Sequence, residues 1–220
     1  FTGLQVTVAN AALLGVNALD LQVTGTVKLN QTSRTDGQRI DWDSASTTPS
    51  GLLPALAIDK AQQLSVVAGA TLNIGPGNVV LTVPLTFGPD TVTLLTGLRL
   101  EMATGNVVTG NTELGTLTGA NVLVFEVLGA SLFVGTDGQF NGGRTGIDTA
   151  GATGFLVAGA NFSMASVKKG TESFTGLQVT VANAALLGVN ALDLQVTGTV
   201  KLNQTSRTDG QRIDWDSAST

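Results

Sequence analysis

The first 47 residues of this chain and the last 47 are the same sequence. The segment that begins FTGLQVTVANAALLGVNALDLQ at Phe1 returns at Phe174, at an offset of 173, and no position differs up to the final DSAST. Two similar domains that were free to diverge would carry some differences. We therefore interpret the chain as a window on a tandem array. In this interpretation residues 1–47 are the C-terminal part of a preceding repeat, and residues 48–220 are one full repeat of 173 residues.

The composition is that of a packed all-β protein. Hydrophobic residues make up 42% of the chain, which is enough apolar material to form a core. Charged residues make up only 12%, about half the usual fraction. The 28 glycines are accompanied by many Val and Thr residues, and this mixture favours strands and turns. We predict more than half of the residues in strands and almost no helix.

Alternation of apolar and polar residues marks individual strands. In the segment LDLQVTGTVKLN one predicted face carries Leu19, Leu21, Val23, Val27 and Leu29, and the other carries Asp20, Gln22, Thr24 and Lys28. The segment NVVLTVPLTF alternates as well. Its predicted inward residues are Val79, Leu81, Val83, Leu85 and Phe87, and its predicted outward residues are Thr82, Pro84 and Thr86.

Turn residues and a continuous apolar run place these strands. GPGN, residues 75–78, predicts a hairpin turn. Pro84 cannot donate to a ladder, so its strand should lie at a sheet edge or present that position to solvent. NVLVFEVL, residues 121–128, is apolar on both faces and should be a central strand. Residues 54–64 could form a short helix or, almost as readily, a strand, and residues 31–51 and 136–154 are predicted loops.

A shorter sequence pattern recurs about five times in each repeat. It consists of alternating apolar and polar residues, then a glycine, then further alternating residues. Its anchor glycines are Gly25, Gly69, Gly105, Gly138 and Gly159, and Gly198 restarts the cycle. Glycines in mid-strand admit bulges and bends, or simply tight packing. Repetition on two scales predicts an elongated β-solenoid or stacked β-meander built from tandem 173-residue repeats. Tandem β-sandwich beads are the alternative.

Charge and residue types exclude several classes of function. The net charge of −5 provides no electrostatic footprint for nucleic acid. His and Cys are both absent, which removes the commonest general base and the thiolate metal ligands. No nucleophile elbow or phosphate loop occurs. The longest apolar run, residues 119–135, carries Glu126 and is shorter than the roughly 20 residues of a membrane-spanning helix. We therefore expect no enzyme, no nucleic-acid partner and no membrane span.

Loop acids are the candidate metal ligands. Calcium takes several oxygen ligands from carboxylates and loop carbonyls, so an acidic loop can form a calcium site. The alternative is that these residues are ordinary turn and surface acids. The predicted ligands, one set in each copy of the repeated segment, are Asp36, Asp41, Asp43, Asp209, Asp214 and Asp216.

Two weaker patterns also involve aspartate residues. GGRTGIDTA, residues 142–150, resembles one nonapeptide of the calcium-binding β-roll and would supply Asp148, but it has one extra residue between its glycines. Asp41 and Asp43 flank Trp42, and a carboxylate pair beside an aromatic ring could hold a sugar. We interpret that pair as a solvated face with Trp42 packed behind it.

Phrases such as LGASLFVGTDG, DWDSASTTPSG and TGFLVAGANFSM, together with the perfect repeat, carry a family resemblance. They resemble the repeat regions of very large, repetitive bacterial surface or secreted proteins of the adhesin type. The resemblance covers the whole chain and rests on style and repetition. It implies a bacterial, extracellular or cell-surface protein that forms a long stalk or fibre presenting binding modules, sometimes stiffened by calcium.

Two classes of function follow. The first is a structural repeat segment of an extracellular fibre or adhesin stalk, which provides length and mechanical continuity. Its partners would be neighbouring repeats of the same chain or identical chains end to end. The second is a carbohydrate- or surface-binding β-module that contacts polysaccharide through its Thr-rich faces. No cofactor other than calcium is expected in either case.

Continuous stacking makes a specific prediction about the two copies. They should adopt the same conformation, and the apolar residues at the first edge should be less buried than their counterparts in the second copy. The residues to compare are Leu4, Val6 and Val8 with Leu177, Val179 and Val181.

Overall fold

A computed structural model describes residues 1–14, 16, 18–46, 56–75, 77–89, 93–189, 192 and 194–220. Strands account for 64% of the structure and helix for almost none, so the all-β prediction is confirmed. In the described part of the chain the only helix is α1 (Trp42–Ser46). The strands there are β1 (Thr2–Ala12), β2 (Leu19–Gln31), β3 (Gln62–Ile74), β4 (Val79–Val83), β5 (Thr86–Phe87), β6 (Leu94–Val108), β7 (Thr116–Thr136), β8 (Gln139–Phe140), β9 (Ile147–Asp148), β10 (Thr153–Lys169), β11 (Glu172–Leu187) and β12 (Gln195–Thr205).

Ten of these strands form one antiparallel sheet. Its order is β1-β2-β3-β4-β7-β10-β11-β12, with β6 also between β3 and β7 and β5 attached to β6. β3 is long enough to pair with β6 over residues 62–68 and with β4 over residues 70–74. β4 and β6 therefore share one position, and the sheet is eight strand positions wide. β8 and β9 form a separate small hairpin.

The predicted hairpin at residues 75–78 is confirmed. Ile74 pairs with Val79, and the Asn78 N–H donates to the carbonyl oxygens of Ile74 and Gly75 at 3.2 and 3.1 Å. Pro76 lies outside the described residues. The expectation of an edge strand is wrong, since β4 lies between β3 and β7. β4 ends at Val83 instead, so that Pro84 never has to donate to a neighbouring strand.

The predicted outward face of β4 is also wrong at one residue. Thr82 is fully buried, and its hydroxyl donates to the carbonyl oxygen of Arg144 at 2.9 Å. Its neighbour Val80 is fully buried on the same side. The cause is the loop of residues 137–152, which folds over this face and supplies Phe140 and Ile147 to pack against the cluster.

Other local predictions have mixed outcomes. Residues 121–128 lie in β7 between β6 and β10, so the central strand is confirmed. Residues 56–61 form no helix and β3 begins at Gln62, whereas residues 54 and 55 lie outside the description. The first predicted loop contains α1, and its residues 47–51 are likewise not described. The second contains β8 and β9.

A line of glycines and bulges, here called the crease, crosses the sheet from strand to strand. It passes a bulge at Val8/Ala11 in β1 and another at Val181/Ala184 in β11. Its glycines are Gly25, Gly69, Gly97, Gly129, Gly159 and Gly198. Gly129 and Gly159 have φ of 70° and 64°, backbone angles that residues other than glycine rarely adopt.

Two of the predicted anchor glycines do not belong to the crease. Gly105 lies near the end of β6, and Gly138 lies in the turn after β7, where a side chain would collide with Phe133. Gly97 and Gly129 take their places at the crease. The degenerate glycine repeat therefore identified the crease in four strands and misplaced it in two.

Most of the buried apolar residues form two small cores on one side of the sheet. One contains Val107, Leu117, Ala120, Val167, Phe174 and Ile213, and the other contains Val80, Phe133 and Ala152. The accessible surface of the chain is 12,560 Å², whereas a compact 22.3 kDa protein exposes about 9,400 Å². Much of the sheet is therefore open to solvent. Within the described ranges, no helix combines the length and apolarity needed to cross a membrane.

Candidate functional surface

The two copies of the repeated segment have the same strand pairing. Thr2 pairs with Gln31 in the first copy, and Thr175 pairs with Gln204 in the second, 173 residues later. The bulge recurs at the equivalent place in both. A threonine pair across the strands, Thr7–Thr26 and Thr180–Thr199, has an Oγ1–Oγ1 distance of 3.2 Å in each copy.

In each copy a tryptophan holds the loop that follows the hairpin against the strands by a hydrogen bond to an asparagine. Trp42 Nε1 donates to Asn30 Oδ1 at 3.0 Å, and Trp215 Nε1 donates to Asn203 Oδ1 at 3.1 Å. The indole rings lie directly on Gly3 and Gly176, where an added Cβ would be 2.6 Å from Cε2 of the ring. Glycine is required at this position because the strand backbone itself forms the floor under the ring.

The surroundings of the two copies differ. Among the described residues, β1 pairs only with β2 and is one edge of the sheet, whereas its counterpart β11 also pairs with β10. β12 is the other edge, whereas its counterpart β2 also pairs with β3. Leu4, Val6 and Val8 are 47%, 44% and 38% exposed, and the equivalent residues of β11 are half-buried. The predicted difference in burial is confirmed.

One face of the sheet, here called the apolar face, carries rows of directly paired apolar residues across all eight positions. In each of the rows given below, every residue pairs directly with the next one on the neighbouring strand, and none of these residues is charged. Two rows on one side of the crease consist of Val6, Val27, Val66, Leu100, Phe125, Met164, Leu177 and Leu202, and of Val8, Gly25, Ala68, Leu98, Val127, Phe162, Val179 and Val200. None of these residues is buried.

The apolar face continues beyond the crease. β2 and β3 pair without a register shift from Leu19 to Leu29, so their alternate residues stay on one face along the whole length. A third row consists of Leu21, Leu72, Leu81, Leu132, Val157, Ala184 and Val196. The rings of Phe125 and Phe162 lie 5.6 Å apart, which agrees with the assigned face.

The opposite face, here called the charged face, holds nearly all the charges of the large sheet. Arg99 lies between two carboxylates there, 2.7 Å from Glu101 and 3.4 Å from Glu126. Lys168 is the exception among the described strands, because it lies at the rim of the apolar face. The residues of the charged face are Asp20, Lys28, Arg99, Glu101, Glu126, Lys169, Glu172 and Lys201.

Loops cover parts of the charged face. The loop of residues 137–152 is held by Arg144, which pairs with Asp20 at 2.8 Å and lies 4.2 Å over the Phe140 ring. The loop of residues 205–219 is held by Trp215 and by Ile213, which is fully buried. The two small cores therefore lie under these loops, on the side away from the apolar face.

Two of the predicted calcium ligands are held by arginine. Arg34 Nε donates to Asp36 at 2.9 Å, and this hydrogen bonding lowers the pKa of Asp36 to about 2. Arg207 holds Asp209 in the same way, and the pKa of Asp209 is also about 2. Sequence reasoning missed the two arginines, although their signal is present in the segment SRTDG, where Arg precedes Asp by two residues.

The remaining predicted ligands have local polar partners. Asp41 accepts the Ser44 N–H at 3.3 Å, Asp214 accepts the Ser217 hydroxyl at 2.9 Å, and Asp216 lies 3.7 Å from Lys201. Asp43 lies in the first turn of α1, and Asp148 accepts the Ala150 N–H at 3.0 Å. Over the described residues, no three acidic side chains are placed to hold one metal ion. Calcium binding stays a prediction.

No protein-family model matches this chain, and no curated protein or solved structure matches it either. The geometry offers two unusual surfaces: a pair of sheet edges that are equivalent to paired strands elsewhere in the same chain, and a broad apolar face.

Proposed function

We propose that this chain is a structural segment of an extracellular fibre or adhesin stalk in which successive 173-residue units continue one β-sheet. The observation that carries the proposal is the position of the second copy. β11 and β12 repeat the pairing of β1 and β2, and they extend the same sheet beyond β10. The second copy of the repeated sequence thus occupies the next strand positions of the sheet that the first copy begins.

The repeat length follows from the strand order. β1 to β10 occupy six positions, those of β1, β2, β3, β4 with β6, β7 and β10, before β11 starts the cycle again. At about 4.8 Å per position, one unit advances by about 29 Å. An even number of positions returns the chain to the same direction, so each further unit can join antiparallel.

The two edges support propagation. The outer edge of β12 corresponds to the edge of β2 that pairs with β3, and the outer edge of β1 corresponds to the edge of β11 that pairs with β10. An unpaired strand edge presents backbone donors and acceptors that template a further strand. Hydrogen bonds between strands would then run along the fibre axis and carry its tension. The extracellular location comes from the resemblance to adhesin-type repeat regions.

Concatenated chains of two, three and four 173-residue units test the proposal. Small-angle scattering and electron microscopy should show the long dimension growing by about 29 Å for each added unit. Separate globules of this size have a radius of gyration of about 16 Å and a diameter of about 40 Å, so beads would grow by 40 Å or more. Growth by the larger step would refute a continuous sheet. Clear binding in a glycan screen, without ordered growth, would favour the surface-binding module instead.

A further inference from the structure

We propose that the apolar face is covered by the apolar face of a second copy of this chain, which makes a two-sheet assembly with both charged faces outward. This goes beyond the proposed function, which uses only the sheet edges. The proposal begins with the rows through Phe125 and Val127, which cross eight strand positions and are nowhere buried.

The size of the apolar face fits an interface between subunits. Eight positions span about 34 Å, and the eleven residues from Leu19 to Leu29 span about 36 Å, which gives about 1,200 Å² on each copy. Two copies would bury about 2,400 Å², within the range of obligate dimers. The chain also exposes about 3,100 Å² more than a compact protein of its mass, and an interface of about 1,200 Å² on each copy would remove more than a third of that excess.

The chemistry of the face favours a second copy over other occupants. A peptide strand or a small ligand would cover only part of eight strands, whereas another sheet of the same width covers them all. Packed sheets lie about 10 Å apart with their inner side chains interdigitated, which requires both inner faces to be apolar. The segregation of charge supplies this condition, because Lys168 is the one charged residue of the described strands that reaches the apolar face, and it lies at the rim. A two-fold arrangement also closes at two copies.

Analytical ultracentrifugation of the full chain tests the proposal directly. We expect a species of twice 22.3 kDa in which the strand edges stay free. The edge-to-edge joining of the proposed function would build larger species and would persist when the apolar face is altered, so the two modes are distinguishable. The test variant is Val27→Lys with Met102→Lys, because these residues are 39% and 40% exposed in one copy and can accept lysine without disturbing its core.

The matched control is Thr7→Lys with Gln178→Lys, which adds the same charge at exposed positions on the other face. The test variant should raise the dissociation constant at least about a hundredfold, because each copy would bury two unpaired charges in the interface. The control should leave it unchanged. Circular dichroism must show equal strand content in both variants. For a variant that fails this check, Met102→Ser offers a milder change at the same place.

A second measurement uses the lack of cysteine in this chain. A cysteine introduced by Met102→Cys would lie in the interface, which excludes water and the alkylating reagent, whereas one introduced by Gln178→Cys would lie on the charged face. The first should therefore be alkylated at least about tenfold more slowly than the second. Three results would overturn the proposal: a monomeric full chain, equal dissociation of the test and control variants, or equal alkylation of the two cysteines. Binding of the monomer to phosphatidylcholine vesicles would assign the face to lipid instead.

Discussion

Replacing the same asparagine by alanine in each copy of the repeated segment compares two tertiary contexts with the sequence held constant. Asn30 is 1% exposed and makes three hydrogen bonds, accepting from Trp42 Nε1 and donating to the carbonyl oxygens of Ile40 and Asp59 at 2.9 and 3.2 Å. Asn203 is exposed. It keeps only the two bonds within its own copy, to Trp215 and Ile213.

The expected costs differ because of water. Asn30→Ala leaves three polar groups without partners in a site that solvent barely reaches. At about 1–3 kcal/mol for each unsatisfied buried group, and with some relaxation, the loss should be about 3 kcal/mol. Asn203→Ala removes bonds that water can replace, so its cost should be about 1 kcal/mol. The predicted difference of about 2 kcal/mol arises entirely from β3 and the residues before it, which cover Asn30 and have no equivalent beside Asn203.

Urea unfolding followed by circular dichroism would measure both costs at one protein concentration. Neither asparagine lies on the apolar face, so association should affect the two variants alike. Tryptophan emission adds a local readout, since the chain has only Trp42 and Trp215. Equal costs, or a larger cost for Asn203→Ala, would refute the argument that the neighbouring strand determines the value of this bond.

Two further predictions concern the loop acids. The pKa of Asp36 is lowered from 3.8 to about 2 in the folded chain, so the stability contributed by its pairing with Arg34 is present above pH 3.8 and lost as the pH falls towards 2. Arg34→Gln should return the pKa of Asp36 towards 3.8, as followed by carboxyl NMR titration, and an unmoved titration would exclude arginine as the cause. For calcium, millimolar additions should raise the Tm through preferential binding to the folded state, and an unchanged Tm would remove the metal from the account of this protein.

The local pattern of the sequence determined much of each strand. Alternation placed Leu19, Leu21 and Val27 on one face because side chains in a strand point to opposite sides with a period of two. The turn at residues 75–78 was recognisable because glycine permits the backbone angles that such a turn needs. Two identical segments also had to pair internally in the same way, since the contacts within each hairpin and its loop are all close in sequence.

Only the tertiary structure decided which surfaces are covered. Thr82 is polar and alternates outward, yet it is buried because a loop some 60 residues later in the sequence folds over it. The apolar rows exist because distant strands pair in register, as where Val66 meets Leu100 and Leu100 meets Phe125. Asn30 and Asn203 have identical sequence neighbours and different exposure, since burial depends on the strand that lies alongside. Period-two alternation is a property of the single strand, whereas register and covering are properties of pairs of segments that the local sequence does not encode.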